Sequence, residues 1–406
     1  MRWLDDVRAR LRPVLIAWLL VLACQPGLVA QGEGGAAPRV VCRNCESRGC
    51  HPCSKHGRPA ELAAEQSAAG ILHCSVATAC KSCAGALATD CKVCANPAVE
   101  NDLEHRRQLA QQWLAARQKA LPEVADRKEL VHLRTAHCAL AFSIRPTTVG
   151  KQKLDTHALA HLYAERIEAL RTLFVQTFEY QPADFAGTLE IYMFRDAQDH
   201  SQVGPRVTGI GTSQSTGTKL MGVECVYSMW QDLRQLPDDE ALHRNLIHNA
   251  THLLLSNAKP EQFLGNRKAG WIDEGVAHWF EDKLTGKCTN FCFEEVLLQP
   301  GAGFKGGRWR APVRRLIDAG QGKPFAELSQ LNTDQLTFED HAIAFAYVDF
   351  LLTERGGAKF RDLIALAKRD LPMREALQSV YGWNPLTIEP VFRQWVKDHY
   401  SPLDPR

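Results

Sequence analysis

No charge of either sign dominates this chain: 48 Lys and Arg nearly cancel 46 Asp and Glu, for a formal net charge of +2. Without a long-range field, neither nucleic acid nor an anionic membrane surface is expected as a partner. Beyond the N-terminus there is no apolar run near the ~20 residues that span a bilayer, so no membrane-crossing helix is expected there. The stretch from Asn101 to Leu133 has no glycine and one proline, Pro122, and is rich in Ala, Gln, Glu and Arg. That composition favours a helical connector. Apolar residues are present in ordinary measure, 45%, and 406 residues hold material for two or three globular domains.

Residues 1–30 read as an export signal. Arg2, Arg8, Arg10 and Arg12 precede an apolar run from Val14 to Ala23, followed by small and turn-forming residues. Cleavage after Ala30 would release a soluble protein, periplasmic or secreted. Alternatively, Val21-Leu22-Ala23-Cys24 loosely resembles a bacterial lipobox, although Leu22 is not the usual small residue, and would leave a lipid anchor on Cys24. The soluble product is the favoured expectation, and a retained anchor helix is the third alternative.

After a Gly-rich joint, residues 38–98 form a block that holds nine of the fourteen cysteines. Cys42-x2-Cys45-x7-Cys53-x2-His56 is repeated 38 residues later as Cys80-x2-Cys83-x7-Cys91-x2-Cys94. Two C-x2-C knuckles supply the closed tetrahedral set of a structural zinc site, and His56 in a ligand slot has no role in a disulfide framework. Disulfides remain the competing reading, because exported proteins mature where thiols oxidise. Cys50 and Cys74 lie outside both quartets, and Cys288 with Cys292 offers a local disulfide. The pattern resembles zinc ribbons and, more loosely, the cysteine-rich zinc domain of J-domain chaperones. Such a module is held by its metals and is expected to bind a partner or order the N-terminus.

Residues 99–133 then form the connector. In 134–300 strands come first and helices after, an α+β order with a mixed sheet. Strands are expected at His137 to Ile144 and Thr188 to Phe194, and helices at Asp155 to Gln176, Asp239 to Ser256 and Ile272 to Lys283. Gly204 to Gly222 is expected to hold strands or a hairpin at a sheet edge. Residues 301–406 read as a C-terminal helical lobe, clearest at Phe345 to Glu354, Lys359 to Arg369 and Ile388 to His399.

The main chemical signal is Asn245-Leu246-Ile247-His248-Asn249-Ala250-Thr251-His252-Leu253-Leu254-Leu255. Histidines at i and i+4 share one helix face, so both imidazoles can reach one ion. Glu274, 22 residues after His252, sits in a second amphipathic helical segment, Trp271-Ile272-Asp273-Glu274-Gly275-Val276-Ala277-His278-Trp279-Phe280-Glu281. A His, His, Glu set with an open fourth position is the arrangement of a catalytic zinc. Together the two segments resemble the gluzincin metallopeptidases, with H-E-x-x-H on one helix and a glutamate on the next, over roughly residues 135 to 400. The resemblance implies zinc on His248, His252 and Glu274. In the family the residue after the first His is the glutamate that takes a proton from the attacking water; here it is Asn249, and an amide cannot accept that proton. General-base action typically contributes ~10²–10⁴ in rate, so the family's peptidase mechanism should be crippled.

Asp273, His278 and Glu281 are candidate replacement bases, with an exposed helical face or a cap as the plainer explanation. Tyr347 is a candidate oxyanion donor, with core packing as its alternative. Three functions remain open at this stage. The favoured one is a noncatalytic metallopeptidase-like domain that binds a peptide, protein or envelope component. The others are a zinc-dependent hydrolase with a replacement base, and a structural protein acting through the cysteine modules.

Overall fold

The computed structural model describes residues 73–75, 108, 111–124, 127, 129–212, 215–260, 264–265, 268–291 and 306–403. The signal segment with Cys24, all eight quartet positions, Cys50 and Cys292 lie outside the described residues, and with them the expectations of zinc or disulfides there.

A six-stranded mixed sheet carries the fold. Its strands are β1 (His73–Cys74), β2 (Val131–Arg134), β3 (Cys138–Phe142), β6 (Leu189–Phe194), β7 (Gly217–Leu220) and β8 (Val226–Trp230), in the order β1-β2-β3-β6-β8-β7. β3, β6 and β8 are parallel; the pairs β1–β2, β2–β3 and β7–β8 are antiparallel. A separate hairpin joins β4 (Thr147–Val149) to β5 (Gln152–Leu154). Side chains alternate between faces along a strand. Cys138, Leu140 and Phe142 of β3, with Ile191 and Met193 of β6, therefore face the large core, while Ala141, Tyr192 and Phe194 face a smaller one.

Among the described residues the helices longer than one turn are α1 (111–120), α2 (Thr156–Phe178), α3 (Ala197–Thr208), α4 (Asp239–Asn257), α5 (Gly270–Thr285), α6 (Arg310–Asp318), α7 (Phe338–Arg355), α8 (Gly357–Lys368), α9 (Met373–Tyr381) and α10 (Ile388–His399). None of the described helices is long and apolar enough to cross a membrane. The large core runs without interruption from Val131 through Phe280 to Phe360, Phe392 and Tyr400. The described residues of this C-terminal part, 306–403, are mainly helical and share this core.

Three boundaries differ from the sequence reading. Among its described residues the connector is helical at 108 and 111–120; Leu121, Val124 and Leu130 then tuck into the smaller core and β2 joins the sheet. The cysteine block is not wholly separate, because His73–Cys74, between its two quartets, pairs with Leu133 and Arg134. The Gly-rich stretch after Gly204 begins inside α3, which ends at Gly209 (φ 71°), before the β7–β8 hairpin.

α4 is fixed at both ends. Asp238 accepts a hydrogen bond from the Ala241 amide at 2.8 Å as N-cap. At the other end the buried Lys368 ammonium donates to the carbonyls of Leu255, Ser256, Ala258 and Lys259. This cation satisfies the helix's last carbonyls and complements its dipole. α5 packs against α7 at Gly275, where an added Cβ would stand 2.7 Å from the Ala344 carbonyl oxygen. Glycine is thus required for the close approach that brings α7 against the α5 face bearing Glu274 and His278.

Candidate metal centre

α4 and α5 place His248, His252 and Glu274 together in the interior, each no more than 1% exposed. The His248 and His252 Nε2 atoms are 3.2 Å apart. Glu274 Oε1 lies 3.4 Å from His252 Nε2, and Oε2 lies 3.5 Å from His248 Nε2. Neither carboxylate oxygen has a donor at hydrogen-bonding geometry among the described residues. The two ring nitrogens thus stand at hydrogen-bonding distance, with the carboxylate oxygens 3.4 and 3.5 Å away.

The far side of two of the imidazoles fixes their tautomer. His252 Nδ1 is 2.8 Å from Asp273 Oδ1, and His278 Nδ1 is 3.3 Å from Glu281 Oε2. A carboxylate accepts and does not donate, so in both Nδ1 carries the proton and Nε2 presents a lone pair. His248 Nδ1 lies 3.4 Å from the same Glu281 oxygen, outside hydrogen-bond geometry. With Nδ1 protonated in His248 as well, a cation would be needed between the two Nε2 atoms; with Nε2 protonated, they share a hydrogen bond. Carboxylates that orient metal-ligating histidines from behind are the usual outer partners of such a site. Two buried groups around Glu274, one with His248 and His278 and one with His252 and Asp273, bring their ligand atoms close enough to hold a metal ion.

Electrostatics agree with that arrangement. Burial pushes His252, His278 and His341 below the ordinary histidine value, His341 to about 3, and so toward the neutral, ligating form. Burial alone would raise Glu281, but His248 and His278 beside it hold it down at about 2. Its Oε1 also accepts from the Thr289 amide at 2.6 Å and the Asn290 side chain at 2.7 Å. Glu274 is likewise held ionised, against the cost of burial, by the histidines around it.

Asn249 is 9% exposed, the most open residue of the group, and its Nδ2 donates to the Asn245 carbonyl at 2.9 Å. The three candidate replacement bases are occupied: Asp273 by His252, His278 and Glu281 by one another and by His248. Tyr347 does not reach the centre. Its hydroxyl donates to Glu389 at 2.7 Å and its ring stacks on Phe392, so core packing accounts for it. Cys288 is a free buried thiol 3.3 Å from the His278 carbonyl, not half of a local disulfide.

One member went unnoticed in the sequence. His341, fully buried on α7, sets Nδ1 3.0 Å from His278 Nε2 and 3.6 Å from Glu274 Oε2. The available signal was a lone histidine in an apolar helix just after the cap at Thr337, whose hydroxyl accepts from the Asp340 amide. At the sheet edge, the Lys219 charge of β7 adds to burial in depressing His252. No family model matches the sequence, and a search of curated proteins finds no match.

Proposed function

We propose that this is an exported protein whose main domain is metallopeptidase-like, of the gluzincin kind, and holds zinc on His248, His252 and Glu274. It binds a peptide or protein there without hydrolysing it by the family's route. The convergence of two buried imidazole nitrogens and a buried carboxylate carries this reading. Tetrahedral zinc with bonds of ~2.0–2.2 Å sets neighbouring ligand atoms ~3.3–3.6 Å apart. The 3.4 Å from His252 to Oε1 and the 3.5 Å from His248 to Oε2 lie in that range, and the 3.2 Å between the nitrogens falls just below it. Zinc bound there would supply a Lewis acid. The chain's own residues supply the rest: Asp273 and Glu281 orient the imidazoles, and Asn249, hydrogen-bonded to its own helix, cannot take a proton. An extended peptide suits the site because β7, the last strand in the sheet order, runs beside it and offers an edge for strand addition. The cysteine quartets carry two structural zinc ions in this reading.

Metal analysis of the wild-type chain beside His248→Ala and Cys42→Ala separates the two classes of site: each variant should lose metal from its own. Wild type should show no appreciable hydrolysis of unstructured peptides, whereas Asn249→Glu, which restores a carboxylate at the family's position, should raise it. Chelator-sensitive peptidase activity in the wild type, lost in Glu274→Ala and unchanged in Asn249→Ala, would refute the noncatalytic reading.

A further inference from the structure

The buried cluster does not end at His248, His252 and Glu274. On the far side of the same carboxylate, His278 Nε2 and His341 Nδ1 are 3.0 Å apart, and each is 3.6 Å from Glu274 Oε2. All three residues are fully buried. His278 Nδ1 faces Glu281 Oε2 at 3.3 Å, so its Nε2 also presents a lone pair toward Glu274. The two halves are built alike. Each has two imidazoles beside Glu274: His252 faces Oε1 and His248 faces Oε2, while His278 and His341 both face Oε2; Glu281 lies behind one histidine of each pair, 3.4 Å from His248 and 3.3 Å from His278.

We propose that the centre takes two divalent metal ions bridged by Glu274. One sits on His248, His252 and Glu274; the second sits on His278, His341 and Oε2 of the same carboxylate. Both sets are imidazole and carboxylate, a donor mixture suited to zinc, manganese, iron or cobalt and unlike the thiolates of the N-terminal quartets. A carboxylate bridge fits the ~3.5–4 Å spacing of paired metal sites. Phe291 and Trp309 pack against His278, and Phe291 against His341, so the second position lies behind an aromatic wall. The ion there holds α7 to α5 and balances the charge of Glu274 and Glu281. The proposal rests on the metal reading of the first position.

The competing arrangement is a single ion, with His341 donating an N–H to His278. His341→Asn separates the two, because asparagine can keep an N–H donor near the Nδ1 position but is a poor ligand for these ions. Full-length protein loaded with Mn(II), which thiolates bind poorly, should take up two ions per chain. His341→Asn and His252→Ala should each take up one fewer. Wild type should show the electron paramagnetic resonance signal of an exchange-coupled Mn(II) pair, and His341→Asn the six-line signal of an isolated ion. An isolated-ion signal in wild type overturns the bridged pair without recourse to any variant, and so does an unchanged count in His341→Asn beside a loss in His252→Ala. Equal counts in all three proteins would overturn the first metal position as well.

Discussion

Glu281→Gln is the sharpest perturbation of the centre, because the exchange is isosteric and alters only which atoms donate. Glu281 Oε1 accepts from the Thr289 amide at 2.6 Å, the Asn290 amide at 3.3 Å and the Asn290 side chain at 2.7 Å. Its Oε2 faces His248 Nδ1 and His278 Nδ1. Glutamine has one acceptor oxygen and one NH2 group. If the oxygen stays with the 289–290 loop, the NH2 faces both histidines, and Nδ1 must become the acceptor. The proton then moves to Nε2, the lone pair facing Glu274 is lost, and His248 no longer ligates. If the amide flips, the NH2 meets the loop's N–H groups, donor against donor, and the loop is displaced. An outer partner of this kind is worth ~10–100-fold in metal affinity, or about 1.4–2.7 kcal/mol per histidine affected. Metal retained per chain against a chelator of known affinity, with a His248→Ala/His252→Ala double variant as reference, measures the loss without interference from the cysteines. Circular dichroism of the metal-free proteins checks that the fold persists. An affinity within threefold of wild type in folded Glu281→Gln would refute the tautomer argument, and with it the case for bare Nε2 atoms.

Two further outcomes are expected. Lys368→Met leaves the last carbonyls of α4 without their cation: hydrogen bonds to a charged group are worth ~1.5–3 kcal/mol each, and relief from burying the ammonium offsets part of this. A net loss of ~2–4 kcal/mol should lower the thermal midpoint of metal-free protein by ~3–7 °C, and a change under ~1 °C would count against the role given to Lys368. Burial lowers His132, His200 and His243 from 6.5 to about 4, with Arg117 adding to it at His132 and Arg166 at His243. As pH falls through that window the unfolded chain binds protons that the folded chain does not, so stability present above 6.5 is lost toward 4. A thermal midpoint unchanged between pH 7 and pH 4.5 would contradict this.

Much of the scaffold was legible because its signals are periodic. The i, i+4 histidines place themselves on one face of α4, and the alternating apolar residues of β3 and β6 announce a sheet. The misses have local causes. β2 is four residues long and follows a polar stretch of high helix propensity, so only its partners in the sheet identify it. α3 contains Gly204 and Pro205, residues that read as turn, yet its buried Val203 packs on the smaller core, and tertiary burial outweighs propensity. The sequence reading began α7 at Phe345, whereas the helix starts at Phe338. With that start, His341 falls on the face that meets α5, and Tyr347, six residues on, is rotated about 120° away from it. The second pair of imidazoles went unseen because a single buried histidine carries no spacing signal.

The chemistry of Asn249 fits binding better than it fits an accidental loss of function. The residues around it are what a metal requires: Asp273 behind His252, Glu281 behind His248, and Glu274 held ionised in the interior. None of that apparatus is needed to pack two histidines into a core, where neutral imidazoles would pair more cheaply with a carbonyl or hydroxyl. A glutamate at position 249 would add another carboxylate to a region already crowded with three. Asparagine adds no charge, and with one N–H given to the Asn245 carbonyl it keeps a second N–H and a carbonyl oxygen. One donor and one acceptor on the most exposed side chain of the centre are what the proposed peptide ligand would need for its backbone amide.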